Sequence, residues 1–166
     1  MKIEFGGGEN PKRPDFRQVD IRKMNDDTIV CAAWEIDQYV DENCVTEIFS
    51  RHFFEHLTHD QAQRTLNSWY KILEKGGRVE MLVPNMNMHI WQWLNWDKLT
   101  DEQKDHMRAG FWGWQREADE SSWDLHKSGY DFPKLKELVE AHGFTNVRLL
   151  SPNDHKFKHL HVDFLK

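Results

Sequence analysis

Residues able to do chemistry gather at two points of the chain. Gly6-Gly7-Gly8 follows a strand-like run, Lys2-Ile3-Glu4-Phe5, and Asp20 closes a second one, Phe16-Arg17-Gln18-Val19-Asp20. A turn without side chains lets a ligand approach the backbone, and a carboxylate can accept both hydroxyls of a ribose. In open α/β sheets the carboxyl ends of the strands are where ligands bind. The arrangement points to a nucleoside-containing cofactor. The second point is His52-Phe53-Phe54-Glu55-His56, which spells H-x-x-E-H, the inverted zinc-peptidase motif. On a helix, His52 and His56 would share a face and bind zinc, with Glu55 as base. The segment follows a strand ending at Ser50, however, and helix signals start only at Thr58. We therefore expect no metal, with a zinc hydrolase through His52, Glu55 and His56 as the weaker alternative. His155, His159 and His161 read as polar positions near a strand edge.

The elements that position these residues alternate between strand and helix. Residues 28–33 and 45–50 have strand composition. Thr58 and Gln61 form a capping box, after which Ala62, Leu66, Trp69, Ile72 and Leu73 recur at helical spacing until Gly76-Gly77. Residues 78–83 read as a fifth strand closed by Pro84, which cannot continue a ladder. Residues 86–128 differ in character, holding Trp91, Trp93, Trp96, Trp112, Trp114 and Trp123, with a second capping box at Thr100 and Gln103. Phe132-Pro133 opens a helix ended by Gly143, and residues 146–150 and 160–165 read as strands. This is an α/β sheet in one domain, residues 1–166, with an aromatic-rich helical insertion after strand five.

Composition excludes several classes. The net charge is −6 and the basic residues are scattered, so nucleic acid is not expected as a partner. No apolar run approaches the ~20 residues of a membrane span. Met1-Lys2-Ile3-Glu4 is strand-like at once, so no secretory signal is expected. Cys31 and Cys44 are isolated, which fits a reduced, cytoplasmic protein. Residues 9–19, with Pro11 and Pro14, are all that separates Gly8 from Asp20. That link cannot hold a long helix, and there is no GxGxxG, which argues against a nicotinamide or flavin dehydrogenase.

With these pieces assembled, the chain resembles a compact class I S-adenosylmethionine-dependent methyltransferase along nearly its whole length. Ile3-Glu4-Phe5-Gly6-Gly7-Gly8-Glu9-Asn10-Pro11 is similar to the glycine-rich cofactor motif, in the small subgroup where a proline-containing link replaces the first helix. Val19-Asp20-Ile21 resembles the acidic strand end that holds the cofactor ribose. The run from Asp41 to Leu57 resembles the fourth strand and its Glu-His-Leu signature, which implies Ser50 and Arg51 beside the cofactor. Leu73-Glu74-Lys75-Gly76-Gly77-Arg78 resembles the turn before strand five, with Glu74-Lys75 in place of Lys-Pro. Gly113-Trp114-Gln115, His126-Lys127-Ser128-Gly129-Tyr130 and Gly143-Phe144 are similar to late segments of the subgroup.

The resemblance implies a Rossmann-like methyltransferase sheet of order 3-2-1-4-5-7-6, the last strand antiparallel. It implies S-adenosylmethionine as cofactor, bound by Gly6, Gly7, Gly8, Asp20, Ile21, Trp34, Ser50 and Arg51. Two departures stand out. Cys31-Ala32-Ala33-Trp34 lacks the acid usual near the adenine, so either Trp34 stacks on the adenine instead or the pocket is altered. N-terminal helices over the cofactor are also missing, which gives residues 86–128, or a second subunit in a homodimer, the role of lid. Gly110, Gly113 and Gly129 are the expected hinges of that lid.

Methyl transfer from a sulfonium needs positioning and exclusion of water, and a base only when the acceptor carries a proton. His52, just past strand four, and His126, after the aromatic insertion, are the candidate bases. The tryptophans suit a planar or glycan-like small-molecule acceptor, a helical core or a dimer seam. The acceptor itself is not written in the sequence. The competing class is a non-catalytic methyltransferase-like binding or scaffold protein.

Overall fold

The structure is a computed structural model that describes residues 1–115, 122–152 and 154–166. Residues 116–121 of the aromatic insertion lie outside the described residues. The strands are β1 (Lys2–Phe5), β2 (Arg17–Asp20), β3 (Ile29–Val30), β4 (Val45–Arg51), β5 (Leu73–Pro84), β6 (Thr145–Leu149) and β7 (His159–Leu165). They form one seven-stranded sheet of order β3-β2-β1-β4-β5-β7-β6. Strands β1 to β5 pair in parallel, while β7 runs antiparallel to both β5 and β6. The helices are α1 (His59–Ile72), α2 (Met86–Leu94), α3 (Asp101–Trp112) and α4 (Phe132–Ala141). Both capping boxes form, Thr58 with Gln61 and Thr100 with Gln103.

Several boundaries differ from the sequence expectation: β5 begins at Leu73 and keeps Pro84 in its ladder, paired with His159, and three others have a clear local reason. The third strand is only Ile29–Val30, because Ala33–Gln38 turns into a 3-10 helix whose Trp34 carbonyl accepts from Ser68 Oγ of α1 at 3.0 Å. Helix α1 stops at Ile72 rather than at the glycines. Leu73 already pairs with Val45, and Gly76, at φ +80°, lies inside β5 beside a register shift. Strand β4 runs through Arg51 because its edge keeps pairing with Leu82 of β5.

Alternation in the strands gives the sheet two unlike faces. Ile3, Ile48, Val79 and Phe164 lie in register on one face, buried in a single core with Leu66 and Trp69 of α1 and Leu135 and Val139 of α4. Glu4, Phe49, Glu80 and Asp163 are in register on the other. There the proline-containing link takes a helix's place: Glu4, almost fully buried, accepts from the amides of Lys12 and Arg13 at 2.9 to 3.1 Å. Arg13 adds an ion pair to Glu80 at 2.9 Å and lies 4.6 Å from the Phe49 ring centre. Arg78 then ties Glu47, Glu80 and Asp163 together. A buried carboxylate costs free energy unless it is paired and hydrogen-bonded; here Glu80 and Asp163 are ion-paired, and Glu4 is held by backbone amides.

Candidate functional site

A cleft opens at the carboxyl ends of β1, β2 and β4. Gly6, Asp20, Ile21, Trp34, His52 and Phe53 line it, with Cys31, Trp123 and Asp124 among the remaining wall residues. Gly6 has φ +70°, and a Cβ there would stand 2.7 Å from Cβ of Phe53. Left-handed backbone and close packing both require glycine at this point. Gly7 and Gly8 make the turn itself. Gln18 Nε2 donates to the Gly8 carbonyl at 3.0 Å and its Oε1 accepts from Asn25 at 2.9 Å. Asp20 keeps one oxygen, Oδ1, for the Arg22 amide at 3.0 Å and guanidinium at 3.5 Å. Its Oδ2 has no hydrogen-bond partner among the described residues, so the carboxylate can accept from a hydroxyl. Burial, with Glu35 nearby, pushes the Cys31 thiol up to about 11, so the thiol stays protonated near pH 7.

Of the cofactor residues read from the sequence, the fold brings Gly6, Asp20, Ile21 and Trp34 together in the cleft. Gly7 and Gly8 lie behind it in the turn. Ser50 is fully buried in β4 with no partner for its hydroxyl, and Arg51 follows it on the strand; neither lines the cleft. Phe53, Cys31 and Arg22 line it and were not anticipated. Phe53 has a sequence signal only in hindsight, as the bulky neighbour of a strand end facing a glycine.

His52 leaves β4 with φ +48°, while its amide still donates to the Leu82 carbonyl at 2.9 Å. This sparsely populated conformation for a non-glycine residue turns the imidazole toward a second, solvent-connected cavity of about 630 Å³. The two spaces share His52, His56, Arg22 and Asp124. The second is walled by Glu55, His89, His106, His126, Lys158 and His159 as well. His52 Nδ1 donates to Glu55 Oε1 at 3.2 Å, and its ring meets His159 edge-on at 4.7 Å. The backbone carbonyl of Glu55 accepts from the amides of Lys127 and Ser128 at 2.9 and 3.1 Å, which brings His126 to this wall. His126 Nδ1 donates to the Gly110 carbonyl at 2.9 Å, and Nε2 is 3.9 Å from Glu55 Oε1. Both candidate bases thus reach the same carboxylate.

Burial holds His126 and His106 below the ordinary histidine value and takes His89 and His159 down to about 4. These imidazoles are neutral near pH 7. The H-x-x-E-H run does not form an α-helical face, since Phe54–His56 is a single 3-10 turn. His161 lies elsewhere, bonded to Glu80 at 3.0 Å, and His155 stacks on Trp91 at 4.8 Å.

Helices α2 and α3 form the roof of this cavity. A Cβ on Gly110, inside α3, would meet the His89 ring at 2.1 Å. Gly113 sits under the Asp124 carbonyl and Gly129 against the Met86 side chain. All three glycines occupy close approaches. Trp93, Phe111 and Trp112 pack on one another while Trp93, Trp112, Trp114 and Trp123 stay substantially exposed.

No protein-family model and no curated protein matches this sequence. Solved structures do. A SAM-dependent methyltransferase from Archaeoglobus fulgidus aligns over 99% of this chain and 85% of its own, with TM-score 0.66 and 13% identity. One from Thermotoga maritima covers 100% of this chain and 82% of its own, with TM-score 0.64 and 12% identity. The 1,6-didemethyltoxoflavin-N1-methyltransferase of Burkholderia thailandensis covers 99% and 70%, with TM-score 0.59 and 13% identity; it was solved with 1,6-didemethyltoxoflavin and S-adenosylhomocysteine bound. The chain has the class I methyltransferase fold, with the strand order and antiparallel β7 implied by the resemblance.

Proposed function

We propose that this chain transfers a methyl group from S-adenosylmethionine to a small-molecule acceptor. The observation that carries the reading is the continuity of the two spaces: a glycine- and Asp20-lined cleft opens into a histidine-walled cavity at His52. The residues fit the cofactor, because Asp20 Oδ2 is available to a ribose while Trp34 and Ile21 offer apolar surface to an adenine. The bound cofactor supplies an electrophilic methyl on sulfur, so the protein's task is alignment and exclusion of water. His52 Nδ1–H is fixed on Glu55, which leaves its Nε2 lone pair to take a proton from a hydroxyl or ammonium acceptor. His126, neutral and similarly fixed through Nδ1, lines the acceptor side. Residues 86–128 act as the cover, with Trp123 and Asp124 at the cleft. Cys31 and Cys44 are free thiols, and no helix among the described residues is long and apolar enough to cross a membrane, which fits a cytoplasmic enzyme acting on a diffusible acceptor. The Burkholderia neighbour's heteroaromatic ligand gives a first acceptor class to screen, along with glycans.

A specific feature favours the competing reading, a non-catalytic methyltransferase-like scaffold: Ala32 and Ala33 stand where an acid near the adenine is expected. Calorimetric titration with S-adenosylhomocysteine separates the two. Saturable binding supports the enzyme; no heat at millimolar ligand supports the scaffold.

A further inference from the structure

We infer that Glu55, His56 and His126 form a binding site for a divalent transition-metal ion of the zinc type, with open coordination positions facing the histidine-walled cavity. One ligand atom from each of these residues lies within 4.8 Å of the others. Zinc bonds of about 2.0–2.1 Å in a tetrahedron set neighbouring ligand atoms about 3.3 Å apart, so side-chain rotations of about an ångström complete the set. The Glu55 Oε1 to His126 Nε2 separation, 3.9 Å, is already close to that. Two imidazoles and a carboxylate with free positions are a recurrent set for zinc and for ferrous iron.

The hydrogen bonds behind the rings prepare them as ligands. His126 Nδ1 faces the Gly110 carbonyl at 2.9 Å, and His56 Nδ1 faces the Leu125 carbonyl at 3.2 Å. A carbonyl only accepts, so Nδ1 carries a proton in each ring, which leaves Nε2 as the nitrogen able to ligate. Metal-bound histidines are held in this way, by a carbonyl or carboxylate on the other nitrogen. His52 does the corresponding service for Glu55 through its bond to Oε1. This differs from the zinc-peptidase motif: the third ligand comes from beyond α3, and His52 orients rather than binds.

The electrostatics ask for a cation. Glu55 is 1% exposed, and its Oε2 has no hydrogen-bond partner among the described residues. No lysine or arginine among the described residues pairs with it; its side-chain neighbours are His52 and His126. The Nδ1–H of His126 is held on the Gly110 carbonyl, so its other nitrogen, Nε2, faces the Glu55 carboxylate 3.9 Å away. A metal ion there converts that opposition into coordination, and a bidentate Glu55 also satisfies the orphaned Oε2. Because His56 also borders the cofactor-type cleft, the open positions face the place where an acceptor heteroatom would bind. That last point rests on the methyl-transfer reading; the binding site does not.

The test uses the full chain without a histidine tag, stripped with a chelator, and titrated with Co²⁺ and then Zn²⁺. We expect one Co²⁺ per chain with visible d–d absorption, displaced by Zn²⁺, and a higher unfolding temperature with metal. His56→Gln, His126→Gln and Glu55→Gln should each weaken binding about 100-fold or more, and His52→Gln by about 10-fold, the range for a group behind a ligand. His142→Gln, at the C-cap of α4 and away from the cavity, should change nothing. Failure to bind at submillimolar metal overturns the inference, as does stoichiometric binding that survives in the His56→Gln/His126→Gln double variant. If His126→Gln does not fold, His126→Cys decides: a folded variant that keeps zinc through its thiolate supports the site, and a folded one that loses it overturns it. S-adenosylhomocysteine is titrated into the stripped protein in parallel, so a failed metal site and a failed cofactor site give different results.

Discussion

The cofactor-type cleft and the histidine-walled cavity meet at His52, yet they are assembled in opposite ways. Residues 5–57 supply all of the cleft except Trp123 and Asp124, and its key groups sit at consecutive strand ends. The cavity takes Glu55 from a 3-10 turn, His89 and His106 from α2 and α3, His126 from a following segment and His159 from the start of β7. The first is built by local order along the chain. The second exists only after the sheet closes with β7 beside β5 and the two helices fold over it. The difference teaches that a binding end and a chemistry end of one site can have unlike stability, unlike pH response and unlike visibility in a sequence.

The largest expected effect is acid sensitivity, and it should belong to the cavity. His89 is buried and held at about 4, with His106, Gln92 and Gly110 around it. In the unfolded chain it titrates near 6.5. Between those values the unfolded state binds a proton the folded state refuses, so stability falls as pH drops from 6.5 toward 4. For His89 the loss reaches about 3 kcal/mol at pH 4. Asp37 and Asp163 are held low by hydrogen bonds from Lys71 and from Arg148, so their contributions disappear only at lower pH, below the ordinary carboxylate value. Denaturant unfolding of wild type and His89→Phe at pH 7 and pH 4.5 checks this. The same pH slope in both proteins sinks it.

Asp20→Ala should act on the other end of the site. We expect S-adenosylhomocysteine binding to weaken by about 1.5–3 kcal/mol, the scale of a charged hydrogen-bond acceptor. The unfolding midpoint should hardly move, because Asp20 serves only Arg22 and a surface turn. If Asp20→Ala binds the ligand as tightly as wild type, the ribose is held elsewhere and the cleft assignment fails. Gly110→Ala should do the reverse. Its new methyl would overlap the rigid His89 ring, costing about 1–3 kcal/mol of stability, with little effect on ligand affinity once the protein is folded. An unchanged melting temperature would mean that the α2–α3 contact is softer than the structure shows.

How much was legible follows from the same contrast. Gly6 and Asp20 were readable because a turn without side chains and an acid at successive strand ends are a local pattern. The strand order came from analogy with the resembled family, carried by the order of its motifs along the chain, and not from any spacing of residues. The end of α1 was misplaced because Leu73 fits helical periodicity and strand pairing equally well; its pairing with Val45 decides. The histidine wall was not readable. His89 and His106 stand alone in their helices, and nothing in their spacing shows that a glycine at 110 lets one ring seat against α3. His52 and His126 were identified separately, as candidate bases, but their meeting at Glu55 depends on a backbone contact between the 3-10 turn and residues 127–128.

The smallest effect is optical, and it bears on how the two ends communicate. We propose that the segment carrying Trp112, Trp114 and Trp123 closes over bound cofactor. Trp123 and Asp124 already line the cleft, and the His126 amide donates to the Trp112 carbonyl at 3.3 Å, so movement at one end is felt at the other. S-adenosylhomocysteine should therefore quench tryptophan emission modestly, and Trp123→Phe should remove most of the change without altering affinity by more than a few-fold. The ligand should also slow proteolysis at residues 112–115 and 122–126, because closure over the cleft shields them from the protease. A homodimer built on the exposed tryptophans of α2 and α3 gives a different pattern: protection without ligand and an unfolding midpoint that rises with protein concentration. Emission and cleavage that stay constant while calorimetry shows saturation would leave the cleft as a fixed pocket and remove the lid.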